Sequence, residues 1–286
     1  MTDAVENTTS RRLEGRVAFI SGAARGMGRS HAVSLAREGA DIIAFDICEP
    51  VHAQGAPPST EADLAETVRL VEALDRRIIA TKCDARDHDA VSGFLEESVA
   101  DLGRLDIVIA NAGINGPGVT LADSTFEDWT SVIDTNLTGI FNVVHASLPH
   151  LLSGGRGGSI VMISSSLALR PAAHFGAYTT AKHGVVGLMK SLAVELGEHS
   201  IRVNTVHPTG VNTDLLVNES TFKLFRPDLE APTVDDAMDS YYGLNLLPIP
   251  WVEASDVSRV VTFLASDDAR YITGSMIPVD AGMSLK

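Results

Sequence analysis

Cysteine is nearly absent: Cys48 and Cys83 are the only two in 286 residues. That scarcity excludes a disulfide framework and points to a reducing compartment. No apolar run approaches the ~20 residues of a membrane-spanning helix. Residues 1–12 are polar and acidic and lack the apolar core of a secretory signal, so a cytoplasmic protein is expected. Basic side chains are also short, 22 against 37 acidic ones, for a net charge of −15. Such a surface repels nucleic-acid phosphates and anionic membranes, and neither is expected as a partner. The nine histidines show no metal-ligand spacing such as an HExxH helix, and no metal is expected.

What is present is a rhythm. Short apolar runs at 17–21, 41–46, 78–83, 105–110, 159–164, 201–207 and 276–280 alternate with amphipathic stretches at 27–38, 62–75, 88–102, 125–152, 174–198 and 254–266. Several of the short runs are continuous Val/Ile/Leu, as in strands covered on both faces. Strict alternation predicts an α/β fold, a doubly wound parallel sheet flanked by helices, because parallel strands need crossover connections. No linker or repeat divides the chain. A tail at 1–14 and one catalytic domain at 15–286 are expected. Two segments break the rhythm: 47–61, rich in Pro, Ala and Gly, and 209–251 after the sixth strand. The first is too long for an ordinary strand–helix loop. The second lies where open α/β sheets build ligand sites.

The first strand runs into Gly22-Ala23-Ala24-Arg25-Gly26-Met27-Gly28 and then a helix. Glycines at 22, 26 and 28 let the backbone approach a pyrophosphate, and the helix N-terminus offers it N–H groups and a positive dipole end. Asp46 closes the second strand, 24 residues after Gly22. A carboxylate there bonds ribose hydroxyls and repels a 2′-phosphate, and Ile47 and Cys48 follow it instead of an arginine. The pattern predicts NAD over NADP, with Arg25 as the one counter-signal.

Tyr178 and Lys182 are four apart in a helical stretch and share a face. A nearby ammonium favours the phenolate, so Tyr178 can serve as a general base. Ser165 ends the fifth strand, thirteen positions earlier, where its hydroxyl can steady a substrate oxygen. Asn136 sits in the middle of the predicted 125–152 helix, an unfavourable place on propensity that invites a special role, such as holding water for a proton relay.

Together these residues resemble the short-chain dehydrogenase/reductase family. Five motifs appear in family order between Gly15 and Gly282: the glycine turn, Asn111-Ala112-Gly113, Asn136, the Ser165–Tyr178–Lys182 set, and Pro208-Thr209-Gly210 with Thr213. The resemblance implies a Rossmann-like sheet of about seven strands ordered 3-2-1-4-5-6-7, a homotetramer, and NAD as cofactor. It implies a cofactor-contact set of the glycine turn with Arg25 and Met27, then Asp46 and Ile47, Asp84 and Ala85 near adenine, and Asn111, Ala112 and Gly113. Tyr178, Lys182, Val211 and Thr213 complete that set toward the nicotinamide. A narrower likeness, carried by the 47–61 insertion, His207-Pro208-Thr209-Gly210-Val211-Asn212-Thr213 and Pro250-Trp251-Val252-Glu253, is to the carveol dehydrogenase group. That group is associated with the redox peptide cofactor mycofactocin and with NAD that is held without release.

The implied reaction moves a hydride between NAD and a lipophilic secondary alcohol or ketone. Leu215, Leu216, Phe222, Leu224, Phe225, Met238, Tyr241, Tyr242, Leu244, Leu246 and Leu247 are candidates either for an apolar substrate pocket or for core and subunit packing, and His174 for the pocket or the surface. The rival readings are an NADPH-dependent 3-oxoacyl reductase of the same family and a non-catalytic dinucleotide-binding protein. Asp46 disfavours the first, and the Tyr178–Lys182 pair the second.

Overall fold

A computed structural model describes residues 11–286. Seven strands form one parallel sheet in the order β3-β2-β1-β4-β5-β6-β7. They are β1 (Val17–Ser21), β2 (Asp41–Asp46), β3 (Ile78–Lys82), β4 (Ile107–Ala110), β5 (Gly158–Ile163), β6 (Ile201–Pro208) and β7 (Met276–Val279). The helices are α1 (Gly26–Arg37), α2 (Glu61–Glu72), α3 (His88–Leu102), α4 (Phe126–Ile133), α5 (Gly139–Gly154), α6 (Gly176–Leu196), α7 (Glu219–Phe225), α8 (Val234–Leu244) and α9 (Ala254–Ala265). No helix among the described residues is long and apolar enough to cross a membrane.

The continuous apolar runs are explained by two cores, one on each sheet face. Phe19, Ile43, Phe45, Val108 and Ile160 point to the α3, α5 and α6 side. Their neighbours Ala18, Ile20, Ile42, Ala44, Ile107 and Val161 point to the α1, α2 and α9 side. Because side chains alternate across a strand, both faces must be apolar when both are covered. Phe19 and Phe45 are essentially inaccessible to solvent, and truncating either to Ala should cost about 3–5 kcal/mol. Only β6 pairs with β7, so Pro278 sits on an edge strand, where its missing N–H is tolerated.

The structure departs from the sequence pattern in three places. The expected helix at 125–152 is α4 and α5 joined by a π-helical turn, Asp134–Thr138. Segment 209–251 carries two helices, α7 and α8. Asn218 caps the first, and a reciprocal Thr233–Asp236 capping box starts the second. Residues 1–10 of the expected tail lie outside the described residues. Leu13, however, is buried in the core and its N–H bonds the Glu38 carbonyl, so the packed chain starts before residue 15.

The chain lays β2 and β3 to one side of β1, then returns to place β4 on the other. The strand ends therefore diverge beyond Ser21 and Ala110, the topological switch point where such sheets bind ligands.

Candidate active site

At that switch point the glycines are sterically required. Gly22 has φ +67, and a Cβ on it would lie 2.9 Å from the Ala112 Cα. A Cβ on Gly28 would lie 1.9 Å from the Gly22 carbonyl oxygen, so α1 can approach the turn only with glycine there. Arg25 at the α1 N-cap gives no side-chain hydrogen bond to the helix, so the first N–H groups of α1 are free to face the cleft.

The cleft, about 140 Å³, is lined by Gly22, Arg25, Gly26, Met27 and Gly28 on one wall and by Asp46, Ile47, Asp84 and Ala85 beyond the ends of β2 and β3. Asn111, Ala112, Gly113 and Thr213 close it on the other side. Nearly the whole predicted dinucleotide set is thus brought into one cavity. Asn111 donates from Nδ2 to the Ser21 and Gly22 carbonyls, 3.1 Å each. Its buried Oδ1, and the buried Oγ1 of Thr135 in the same cleft, have no partner among the described residues. Orphaned acceptors above a glycine cradle fit a polar ligand with hydroxyl and amide donors.

Asp46 is buried, and its carboxylate accepts from the Ala24 N–H at 2.9 Å, the Ser59 hydroxyl at 2.6 Å and the Cys48 N–H at 3.3 Å. A carboxylate offers about four acceptor positions, which leaves room for a ribose hydroxyl. Arg25 is committed elsewhere. It pairs with Asp214 at 2.9 Å and donates to the Pro57 carbonyl, and so bridges the two irregular segments that flank the cleft. Asp84 lines the cleft, but Arg86 grips its carboxylate at 2.6 and 2.8 Å, so any adenine contact has to share it. Burial pushes the thiols of Cys48 and Cys83 up to about 11, which removes thiolate chemistry at this end.

The 47–61 insertion is fastened across the cleft. Besides Ser59 on Asp46, His52 Nε2 lies 2.8 Å from Asp128 Oδ1, and the Ser131 hydroxyl donates to the His52 carbonyl at 2.7 Å. Val51 packs with Ile114, Val132 and Trp129. Val51, Gln54 and Ser59 thereby join the cleft wall. Only the anomalous length of the insertion announced these contacts in the sequence.

A second cavity of about 340 Å³ adjoins the first, with Met27, Thr213 and Leu215 lining both. Ser165, Tyr178 and Val211 face it. Burial raises the Tyr178 hydroxyl above its ordinary value, and a hydrogen bond with Ser165 opposes the shift. Lys182 lies behind, buried, with Nζ 5.6 Å from the Tyr178 ring centroid and 2.9 Å from the Ile163 carbonyl. Desolvation lowers its ammonium to about 8. Asn136 is fully buried and pairs with the Ile114 peptide in both directions at 2.7 Å. Its side chain is thereby fixed against the Ile114 backbone. A Cβ on Gly113 would lie 3.1 Å from Asn136 Oδ1 and 3.5 Å from Lys182 Nζ, which explains glycine there.

A family model described as enoyl-(acyl carrier protein) reductase matches residues 22–284. The (−)-trans-carveol dehydrogenase of Rhodococcus erythropolis is 50% identical over 275 residues, covering 96% of this chain and 99% of that protein. A short chain dehydrogenase from Mycobacterium paratuberculosis, crystallised bound to NAD, is 45% identical with a TM-score of 0.87, covering 96% and 100% of the two chains. The chain belongs to the short-chain dehydrogenase/reductase family. Carveol dehydrogenase from Mycobacterium avium, in complex with NAD, is 55% identical with a TM-score of 0.95, covering 96% and 99%. For this short-chain dehydrogenase, the expected strand order is the observed one.

The apolar candidates in 209–251 divide four ways. Leu215, Leu216, Leu224, Phe225 and Leu244 line the second cavity of the dehydrogenase. Tyr241 does not. It is fully buried, edge-on to Phe225 and Trp251, and its hydroxyl donates to the Leu216 carbonyl at 2.9 Å. Tyr242, Leu246 and Leu247 are exposed, and Phe222 and Met238 are partly buried away from the cavity lining. His174 does line it, with φ +71. Thr209 bonds Asn245 at 2.8 Å and so ties the two ends of the segment together.

Proposed function

We propose that the chain is an NAD-dependent dehydrogenase of lipophilic secondary alcohols, with Tyr178 as its general acid/base. One observation carries the reading: the glycine-cradled cleft opens into an apolar cavity that presents Ser165 and Tyr178 side by side, with Lys182 directly behind. Oxidised nicotinamide, when bound, would supply a hydride acceptor and a positive charge. Tyr178 Oη takes the proton of the alcohol, and the nearby positive charge offsets the burial that otherwise holds that hydroxyl protonated. The Ser165 hydroxyl donates to the substrate oxygen and orients it. Lys182, still largely charged at neutral pH, holds the nicotinamide ribose and passes the proton on. Asn136 locks the backbone from which that proton reaches solvent. Arg25, tied to Asp214 and Pro57, is not free for a 2′-phosphate, which supports NAD over NADP.

The finer assignment follows the carveol dehydrogenase relatives. The substrate is a carveol-like cyclic alcohol, NAD stays under the 47–61 insertion, and mycofactocin takes the electrons. A cytoplasmic homotetramer belongs to the same proposal, favoured by Phe141, Leu152 and Val194, which a single chain leaves exposed. Absorbance of reduced nicotinamide with excess NAD and carveol tests it. A single-turnover burst that resumes with an artificial electron acceptor is expected. Steady release of free NADH overturns the captive-cofactor part, and no reduction with carveol or other lipophilic secondary alcohols overturns the substrate class.

A further inference from the structure

His207 is fully buried at the end of β6, and neither cavity touches it. Its Nδ1 lies 2.9 Å from the main-chain oxygen of Ser165, and its Nε2 lies 2.8 Å from the Thr205 hydroxyl. A carbonyl oxygen can only accept, so the proton sits on Nδ1, and the neutral ring then accepts from Thr205 at Nε2. One tautomer satisfies both nitrogens. Burial holds the ring below its ordinary value, and the charge of Lys182 adds to the effect, so the neutral form persists.

The rest of the segment is held by other groups. Lys182 Nζ donates to the Ile163 carbonyl, the Ser164 hydroxyl donates to the Lys182 carbonyl at 3.0 Å, and the Ser164 N–H pairs with Val206 at 2.9 Å. Past Ser164 the strand pairing stops, and Ser165 enters a short 3-10 turn whose Ala168 N–H also reaches the Ser165 carbonyl, at 3.0 Å. That bond lies within the turn itself, whereas His207 stands on β6. Among the described residues, the contact from His207 is the one that ties the Ser165 carbonyl to a strand of the sheet. The Ser165 hydroxyl oxygen accepts from the Leu167 N–H at 3.1 Å, so its own proton is left for the Tyr178 side, where the substrate oxygen would sit.

We propose that His207 is a positioning residue for the reaction: through its Nδ1–H bond to the Ser165 carbonyl it fixes where the Ser165 hydroxyl meets the substrate oxygen. The proposal rests on the dehydrogenase reading above. Misplacement of a reacting group by a fraction of an ångström costs rate more than affinity.

Three variants test it. His207→Asn keeps a donor near the Nδ1 position, His207→Leu removes both bonds at similar volume, and His207→Gln reaches only the Thr205 side. With carveol, NAD and an artificial electron acceptor to sustain turnover, H207L and H207Q should lose kcat by about ten- to a hundredfold. KM and NAD affinity should change little, and the primary deuterium isotope effect on kcat should rise as hydride transfer becomes limiting. H207N should recover most of the loss. If H207L does not fold, the contrast between H207N and H207Q decides. Folded H207L or H207Q with wild-type kcat and isotope effect overturns the proposal. Independently of any substrate, the ring ¹⁵N shifts of His207 must report a proton on Nδ1 that does not titrate near pH 6.5; a proton on Nε2 also overturns it. Tyr178→Phe is run alongside: if that variant turns over normally, it is the dehydrogenase reading that has failed.

Discussion

Ser59 reaches back thirteen residues to set its hydroxyl 2.6 Å from the Asp46 carboxylate. The insertion is thereby bonded to the same carboxylate that is expected to hold the adenine ribose, so the cover and the anchor form one unit. Ser59→Ala removes a hydrogen bond to a charged group, and we expect NAD to leave about tenfold faster. Deleting the insertion should accelerate it further. Stopped-flow fluorescence of bound NADH against a trapping dehydrogenase measures the rate. An unchanged rate in the deletion variant would remove the cover from the account of NAD retention.

Tyr178→Phe deletes one oxygen in a packed site and should leave the fold and the cleft intact. Turnover should fall at least about a thousandfold, in line with loss of a general base, while NAD affinity by calorimetry stays within a few-fold. Residual turnover near wild type would mean that some other group takes the proton.

Asp46 is also the discriminator against a 2′-phosphate. Asp46→Ala should raise kcat/KM with NADP and lower it with NAD, narrowing the preference by about a hundredfold or more, since an unfavourable buried charge contact is removed. If NADP remains unused in a folded variant, exclusion lies in the insertion and not in the carboxylate.

His31 gives the fold an acid limit. It is fully buried between α1 and α9, bonded to the Ser258 hydroxyl at 2.8 Å, with no partner for Nε2 among the described residues. Burial lowers it to about 3. Below pH 6.5 the unfolded chain takes up a proton that the folded chain refuses, so the contribution present above pH 6.5 is lost as pH falls toward 3. The slope is about 1.4 kcal/mol per pH unit. Urea melts from pH 7 to 4 should show it, and His31→Gln should flatten it. Equal slopes in the two proteins would assign the acid limit to other groups.

The sheet was legible because a strand buried on both faces has no choice but continuous Val, Ile and Leu, and the cofactor cradle because Gly22 and Gly28 tolerate no Cβ. The pairing of Tyr178 with Lys182 and Ser165 was legible through helical spacing and family order. Other features were hidden for physical reasons. Asn136 signals something odd mid-helix, but neither the π turn nor its pairing with Ile114, 22 residues away, is written in local propensity. The caps Asn218 and Thr233–Asp236 stand in the sequence of 209–251, but a cap marks only where a helix starts, not what it packs against. Tyr241 and Leu246 look alike in hydropathy, and only tertiary packing decides that one is core and the other surface. Nothing local reveals that His207 bonds Ser165 across two strands.

The π turn at Asp134–Thr138 leaves a mark on how the chain tolerates change in length. Each residue of an α-helix advances the side chains by about 100°. Trp129 and Val132 on α4 pack toward Ile114 and the insertion, whereas Ile140, Val143 and Val144 on α5 pack into the sheet. The wide turn sets the phase between these two seams. Dropping or adding one residue there would rotate one seam off its partner while leaving composition almost untouched. Between residues 134 and 138 the count itself is under constraint.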